Sequence, residues 1–329
     1  MPSVFDLPTP ALLIDAAALE QNLTAMAAAL PGPRLRPHVK AHKCTALARR
    51  QLGHGHRAFT CATIREMEGL AAAGFGADLL LANEVLDARR LGTLDARVTV
   101  AVDSEATIDA AAAGGVREVL IDVNVGLPRC GCAPDDAGRL ADHAHRRGLT
   151  VRGVMGYEGQ AMLLPERPTR TSVVSDAMAL LAAAHAAVGG DVVSSGGTGT
   201  YDMNGVATEI QAGSYALMDT AYAKLGLPFR EALTVLGTVV STSTQGYAVA
   251  DVGLKALGMD HGNSAIDDAQ VWFFSDEHVT FAPARPVRIG ERIRVRPAHV
   301  DPTMAYHERA HVVDGERIVE TWLIDLRGW

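Results

Sequence analysis

The sequence predicts an α/β protein, a (β/α)8 barrel followed by a β-rich C-terminal domain. Two observations predict it. From Leu12 to about Leu225, short apolar runs alternate with alanine-rich helical stretches. Strands joined by helices run parallel and are buried on both faces, and about eight such units suit a closed barrel better than a small open sheet. After Leu225 the texture changes to LTVLGTVVSTSTQGYAVADVG, AQVWFFSDEHVTFA, ERIRVRP and RAHVVDGERIVETWLIDL, strand-like runs with turn residues between them. The expected domains are 12–225 and 226–329, with residues 1–11 packing against the second.

Along the chain, Ala16 to Leu30 reads as a helix ended by Pro31, and LRPHV as the first barrel strand. Thr45 to Leu52 reads as a helix with Arg49 and Arg50 near its C-terminal end, where cations suit the dipole. AFTCA is the next strand, Thr63 to Ala73 a helix closed by Gly74, and ADLLLA a strand. Leu86 to Gly92 is expected to be helical, VTVAV a strand, Ala106 to Ala113 a helix and EVLIDVNV a strand. Asp135 to Arg147 is a helix followed by Gly148, then come the strand VRGVMGY, the helix Thr171 to Val188 and the strand DVVSSGG. In the second domain, Asp314-Gly315 between two apolar runs is a hairpin signal.

The 329 residues include 48% hydrophobic and 21% charged side chains, enough for a large globular core. A net charge of −8 disfavours nucleic acid and anionic membranes as partners, since both select a basic face. Cys44, Cys61, Cys130 and Cys132 form no CxxC pair, which reads as free thiols in a reducing compartment. The N-terminal MPSVFDLPTPALLIDAAALEQN lacks a basic start and a long apolar core, and no window approaches ~18 consecutive apolar residues. A cytoplasmic enzyme with a small-molecule substrate and no membrane partner is the expectation.

Candidate chemistry lies at the strand ends. Lys40, in RPHVKAHKC, follows the first apolar run, where barrel enzymes place catalytic groups. An amine desolvated there can lose its proton and bond covalently to an aldehyde. Position alone also allows a surface lysine, and Lys43 is the competing amine. SSGGTGT (Ser194 to Thr200) follows a late strand, and its backbone N–H groups and hydroxyls suit an oxyanion such as phosphate; a plain turn fits equally well. QAGSY (Gln211 to Tyr215) could form a second jaw. Arg129 and Tyr157 each follow a strand, where a ring and its oxygen could be held. In PAHVDPTMAYHE, His299 and Asp301 would share a face if the segment is extended, an imidazole and a carboxylate offered to one divalent ion. An isolated His-x-Asp is also common without a metal. His261, His278, His307 and His311 carry no spacing argument.

Taken in order, TPALLID, RPHVKAHK, CATIREME, DVNVGLPRCG, MGYEGQ, the Gly/Thr loop, TEIQAGSYALMD, SDEH and HVDPT resemble the metal-activated D-threonine aldolases and the related eukaryotic-type D-serine dehydratases. The resemblance implies an alanine-racemase-type barrel of the fold type III pyridoxal-phosphate group, with Lys40 holding pyridoxal 5'-phosphate. It implies further that Arg129 and Tyr157 line the cofactor. Gly196, Gly197, Thr198, Gly213, Ser214 and Tyr215 lie in segments matching its phosphate and ring contacts. His-x-Asp resembles the aldolase branch and His-x-Cys the dehydratase branch, so His299 and Asp301 imply a divalent ion. The hard carboxylate makes manganese or magnesium first choices and leaves calcium and zinc open. Two positions depart from the aldolase pattern: Val300 stands where many carry Cys, and Gln160 where many carry His. The implied reaction is cleavage of a D-β-hydroxy-α-amino acid to glycine and an aldehyde, by a homodimer. The alternatives are a D-serine or 3-hydroxy-D-aspartate dehydratase and an amino-acid racemase.

Overall fold

A computed structural model describes residues 2–329, which divide into two compact units. One holds the residues up to Ala25, Ala41–Ala46 and Ser214–Asp325; the other holds Met26–Lys40, Leu47–Gly213 and Leu326–Trp329. The strands in chain order are β1 (Ala11–Asp15), β2 (Phe59–Cys61), β3 (Leu79–Leu81), β4 (Val98–Val102), β5 (Glu118–Asp122), β6 (Thr150–Gly156), β7 (Val192–Ser195), β8 (Glu209–Ile210), β9 (Leu233–Thr242), β10 (Ala248–Ala250), β11 (Ala265–Ile266), β12 (Ala269–Phe274), β13 (Val279–Pro283), β14 (Arg292–Arg296), β15 (Arg309–Asp314) and β16 (Arg317–Leu323). The helices are α1 (Ala16–Ala29), α2 (Thr45–Gly53), α3 (Ile64–Ala72), α4 (Glu105–Ala113), α5 (Ala137–Arg146), α6 (Arg167–Val188), α7 (Thr220–Ala223) and α8 (Val300–Tyr306).

In the second unit, β2 to β8 form one parallel sheet in sequential order. The expected first strand, LRPHV, is not a regular strand, yet it joins the two edges. Leu35 bridges Ile210 of β8 and His38 bridges Thr60 of β2, both in parallel. Arg36 and His38 donate their N–H groups to the carbonyls of Ile210 and Ala212, while Pro37 offers only its carbonyl, to Thr60 N. Proline has no N–H to give β2, so the segment makes bridges rather than a ladder.

The lumen of this barrel is layered. Leu80, Ala101, Leu120 and Met155 pack together inside it. Two residues earlier on three of those strands, on the same face, stand Asp78, Thr99 and Glu118. Asp78 forks onto two arginines, Arg36 at 3.1 Å and Arg152 at 3.0 and 3.1 Å, and Arg36 Nε also reaches Glu209 at 2.8 Å. Burial would push the Asp78 carboxyl up, but the two guanidinium groups outweigh it and hold it at about 2. Two residues after Leu120, Asp122 ends β5 at the opposite mouth. A larger apolar cluster lies between the strands and the helices, with Phe59, Leu79, Val100, Val119 and Leu181 among its members.

The helices start where capping chemistry allows. Thr63 accepts from Glu66 N at α3, and Ser104 forms a capping box with Thr107 at α4. Residues Leu86 to Gly92 do not form the expected helix. The Asp87 carboxylate takes the Arg89 N–H at 3.2 Å and the Arg89 guanidinium at 2.9 and 2.6 Å, so a local side-chain turn competes with helical bonding. By length and apolar composition α6 could cross a membrane. In the fold, its Arg170, Val174, Ala177, Met178, Leu181 and Ala184 are buried, and the helix packs on β6 and α5.

The first unit is a nine-stranded mixed sheet. Its path is β12-β13-β10-β9-β1-β15-β16, with β14 paired to β9 and β11. The strand pairing and the two compact units divide the chain differently from the limits 12–225 and 226–329. Leu12 to Asp15, assigned from sequence to the barrel, pair antiparallel with β9 and parallel with β15. At the other boundary, the sheet unit begins at Ser214 rather than after Leu225. An apolar five-residue strand carries no mark of which sheet it will join, and here the partners lie more than two hundred residues away. The hairpin signal leads to β15 and β16, joined through Gly315-Glu316 with Gly315 at φ 63°.

Candidate active site

Tyr157 is the hub of the first cluster, within the barrel unit. It follows β6 directly, so the end of that strand sets its position. The Lys40 amine lies 5.8 Å from the Tyr157 ring centroid, and the Arg129 guanidinium carbon lies 5.3 Å from it. Lys40 occupies a single 3-10 turn, Val39–Ala41, just after the segment that closes the barrel. Lys43 sits apart from such a turn, in left-handed backbone at φ 48°. Arg129 lies in the loop after β5. Asn124 braces that loop, donating through Nδ2 to the Leu127 carbonyl at 2.8 Å and the Cys130 carbonyl at 3.4 Å.

The Gly/Thr loop meets Tyr157 from another side. A Cβ on Gly197 would lie 3.6 Å from Tyr157 Cε2 and 2.8 Å from Met162 Cε, so the bare backbone is what fits there. The loop is held by Glu158, a fully buried carboxylate beside Tyr157 in sequence. Its Oε2 accepts from Ser195 Oγ at 2.9 Å and Gly196 N at 3.2 Å, and its Oε1 from Thr200 Oγ1 at 2.6 Å and Asn204 Nδ2 at 2.8 Å. A buried carboxylate needs donors, and this loop supplies four. Glu158 and Asn204 carried no signal in the sequence beyond their neighbourhood to the YEG and Gly/Thr motifs.

Acidic groups gather on the same mouth. Burial, with Glu84 as the neighbouring acid, pushes the Asp122 carboxyl well above its ordinary value, and Arg129 only partly opposes this. A hydrogen bond to Glu84, aided by burial, lifts the Cys130 thiol to about 11. No disulfide joins the four cysteines, and burial together with the neighbouring acids raises both the Cys130 and the Cys132 thiol, so neither favours a thiolate. Gln160 donates through Nε2 to the Val125 carbonyl at 3.0 Å, so it braces the loop that carries Arg129.

The second cluster lies within the sheet unit. Here the expected extended segment is corrected: His299 is the N-cap residue of α8 and Asp301 stands in that helix's first turn. The pair nonetheless converges, with His299 Nε2 4.0 Å from Asp301 Oδ1. Two bonds of about 2.1 Å each to one ion would span this gap. Asp260 and His261 complete the group, the His261 ring lying on the His299 ring at 3.7 Å and 16°. No spacing rule singles out His261 or Asp260, because the segment carrying them is some forty residues from His299. Asp219 anchors the start of α8: its Oδ2 accepts from Val300 N at 2.9 Å while its Oδ1 caps α7 through Ala221 and Tyr222 N–H groups. Burial pushes this carboxyl up to about 6 despite those donors.

The remaining candidates divide. Gly213 ends the barrel unit and Ser214 opens the sheet unit. Ser214 Oγ reaches Asp301, and Tyr215 is fully buried with its ring 5.8 Å from that of Phe229. Thr198 is buried within its loop. His307 bonds the Ala256 carbonyl and His311 bonds Thr321. Neither belongs to the His299 group.

Two family models match successive stretches of the chain. The alanine racemase N-terminal domain family matches residues 14–221, and a putative serine dehydratase domain matches residues 232–313. The chain is 35% identical to a D-threonine aldolase of an Arthrobacter species, over 98% of this chain and 93% of that one. The crystal structure of D-threonine aldolase from Filomicrobium marinum aligns with a TM-score of 0.93 and 33% identity, covering 98% of this chain and 97% of the other. D-threo-3-hydroxyaspartate dehydratase from Delftia sp. HT23 aligns with a TM-score of 0.88 and 26% identity over the whole of both chains (100% and 100%).

Proposed function

The chain belongs to the alanine racemase N-terminal domain family of fold type III pyridoxal-phosphate enzymes, and from that premise we propose that it is a metal-dependent D-threonine aldolase. It would cleave D-β-hydroxy-α-amino acids to glycine and an aldehyde. What carries this reading over the dehydratase is the donor pair: His299 Nε2 faces a carboxylate, Asp301, 4.0 Å away, rather than a thiol.

The residues present fit both groups. Lys40 would hold the cofactor through its amine, Tyr157 and Arg129 would border its ring, and the Gly196–Thr198 loop would receive its phosphate. His299 and Asp301 would hold a manganese or magnesium ion, two protein ligands leaving positions open for the substrate. When bound, the cofactor supplies an electron sink for the carbanion at Cα, and the ion a Lewis acid that lowers the β-hydroxyl pKa. The chain's own part is placement. Glu158 fixes the loop against Tyr157, Asn124 and Gln160 brace the segment carrying Arg129, and Asp219 holds the helix start that bears His299 and Asp301. The working form is read as a cytoplasmic homodimer, since closed twofold assemblies are the commonest; a fully active monomer by light scattering would remove that part.

A second reading is favoured by one residue. Gln160 is an amide that cannot take up a proton, at a position where many of the resembling aldolases carry His. A D-serine or 3-hydroxy-D-aspartate dehydratase would use the same residues to remove the Cα proton and expel the hydroxyl as water. The test is to incubate the holoenzyme with D-threonine, D-serine and 3-hydroxy-D-aspartate, with and without Mn2+. Glycine plus aldehyde supports the aldolase; keto acid plus ammonia replaces it with the dehydratase.

A further inference from the structure

We propose that Asp260 is a positioning residue for the metal ligands His299 and Asp301: it takes the Nδ1–H of His299 and so turns the Nε2 lone pair towards an ion shared with Asp301. The inference rests on the metal-dependent reading above and deepens it.

His299 Nδ1 lies 2.9 Å from both Oδ1 and Oδ2 of Asp260, so the N–H points between the two oxygens. A carboxylate only accepts, and a neutral imidazole has one N–H. Nδ1 is therefore the donor in this contact, and in the neutral imidazole that a metal ligand must be, Nε2 on the Asp301 side keeps its lone pair. A ligand histidine paired through its other nitrogen to a carboxylate is a recurrent way of fixing both tautomer and ring direction. The ring plane is restrained as well, by the His261 ring stacked on it at 3.7 Å.

The backbone delivers Asp260 to this place. Gly258 forms an antiparallel bridge with His299. Its N–H donates to Thr303 Oγ1 at 2.9 Å, and Thr303 Oγ1 donates to the His299 carbonyl at 2.7 Å. A Cβ on Gly258 would meet Pro302 Cγ at 2.2 Å and the His299 carbonyl oxygen at 2.9 Å, so only glycine allows this approach. Two residues further on, the chain brings the Asp260 carboxylate onto His299. Asp260, His261 and His299 could also be grouped as three ligands of one ion. With His299 Nδ1 at hydrogen-bonding distance, 2.9 Å, from both Asp260 oxygens, the positioning role accounts for the geometry and leaves Nε2 for the ion.

The experiment is Mn2+ titration of the cofactor-loaded protein, with the bound ion counted by electron paramagnetic resonance. Asp260→Ala should still bind one ion, about 10-fold more weakly, the low end of such effects because the Asp260 side chain is 60% exposed. Asp260→Asn keeps an acceptor and should recover most of the affinity, while Asp301→Ala should lose the site. In the Mg2+-loaded protein, nitrogen NMR of His299 should report the Nδ1–H tautomer. Unchanged affinity in Asp260→Ala, or an Nε2–H tautomer, overturns the proposal. Loss of the ion in Asp260→Ala with its retention in Asp301→Ala also overturns it, and moves the ion to Asp260, His261 and His299. Because the readout is binding, a protein that holds Mn2+ as expected but cleaves no D-threonine refutes the aldolase reading and leaves this one standing.

Discussion

Ser214 Oγ donates to Asp301 Oδ1 across 3.2 Å, joining two residues whose sequence motifs point to different ligands, phosphate and metal. The accepting oxygen is the same one that faces His299 Nε2 at 4.0 Å. A hydroxyl on that oxygen limits rotation of the carboxylate. Ser214→Ala should therefore weaken Mn2+ binding by about 5-fold, the worth of roughly one hydrogen bond, and leave cofactor affinity unchanged. Parallel titrations with Mn2+ and pyridoxal phosphate decide it. Loss confined to the cofactor would return Ser214 to the phosphate.

Lys40 sits beside Tyr157 in the barrel unit. Lys40→Ala should abolish the visible absorbance of the bound cofactor and essentially all turnover, because the covalent attachment is gone. Borohydride trapping followed by peptide mapping checks the attachment point. Cofactor found on Lys43 would refute the assignment.

The ion is expected to act on the substrate and not on the fold. Chelation should remove activity while sparing the cofactor spectrum and the melting transition, and Asp301→Ala should do the same. Asp301→Cys should shift preference towards zinc, as a thiolate is the softer ligand. Full activity after chelation would make the reaction metal-free.

Glu158 ties the Gly/Thr loop through four hydrogen bonds. Glu158→Gln turns one accepting atom into a donor facing other donors. The expected loss is about 2–3 kcal/mol of stability, seen in urea unfolding, with faster release of the cofactor on dilution. A variant as stable as the parent would show the loop to be held by its packing alone.

Asp78 gives a pH signature. Its carboxyl, at about 2 in the folded chain against an ordinary 3.8, favours folding above 3.8, and that contribution is lost as pH falls through about 2. Asp78→Asn should thus cost about 2 kcal/mol at neutral pH, because each tenfold change in proton affinity on folding is worth about 1.4 kcal/mol. The gap to the parent should close as unfolding is measured at progressively lower pH below 4. A gap that stays constant would mean the two arginines find other partners.

Local pattern carried much of the fold. The alternation of VTVAV, EVLID and TVRGVMG with alanine-rich helices is strong because most positions of each strand are buried, so apolar side chains dominate the runs. The stretch 86–92 misled because its helical composition says nothing of the Asp87–Arg89 turn that competes with it. Lys40, Arg129 and Tyr157 were legible as strand-end residues, since barrel strands of one direction deliver their C-terminal ends to one mouth. Their grouping around the Tyr157 ring depends on strand order, which the pattern does not contain.

What the sequence by itself determined is the set of short-range choices: strand or helix, cap or turn, and the residue types able to hold an aldehyde cofactor or a hard ion. Only tertiary structure decided the long-range ones. It sent β1 to β9 and β15 instead of the barrel, closed that barrel through a proline-bearing segment, and brought Asp260 and His261 onto His299. The reason is physical. Periodicity and capping are set within a few residues by steric and hydrogen-bonding rules, whereas pairing partners and converging side chains are chosen by burial and satisfaction of groups far apart in the chain.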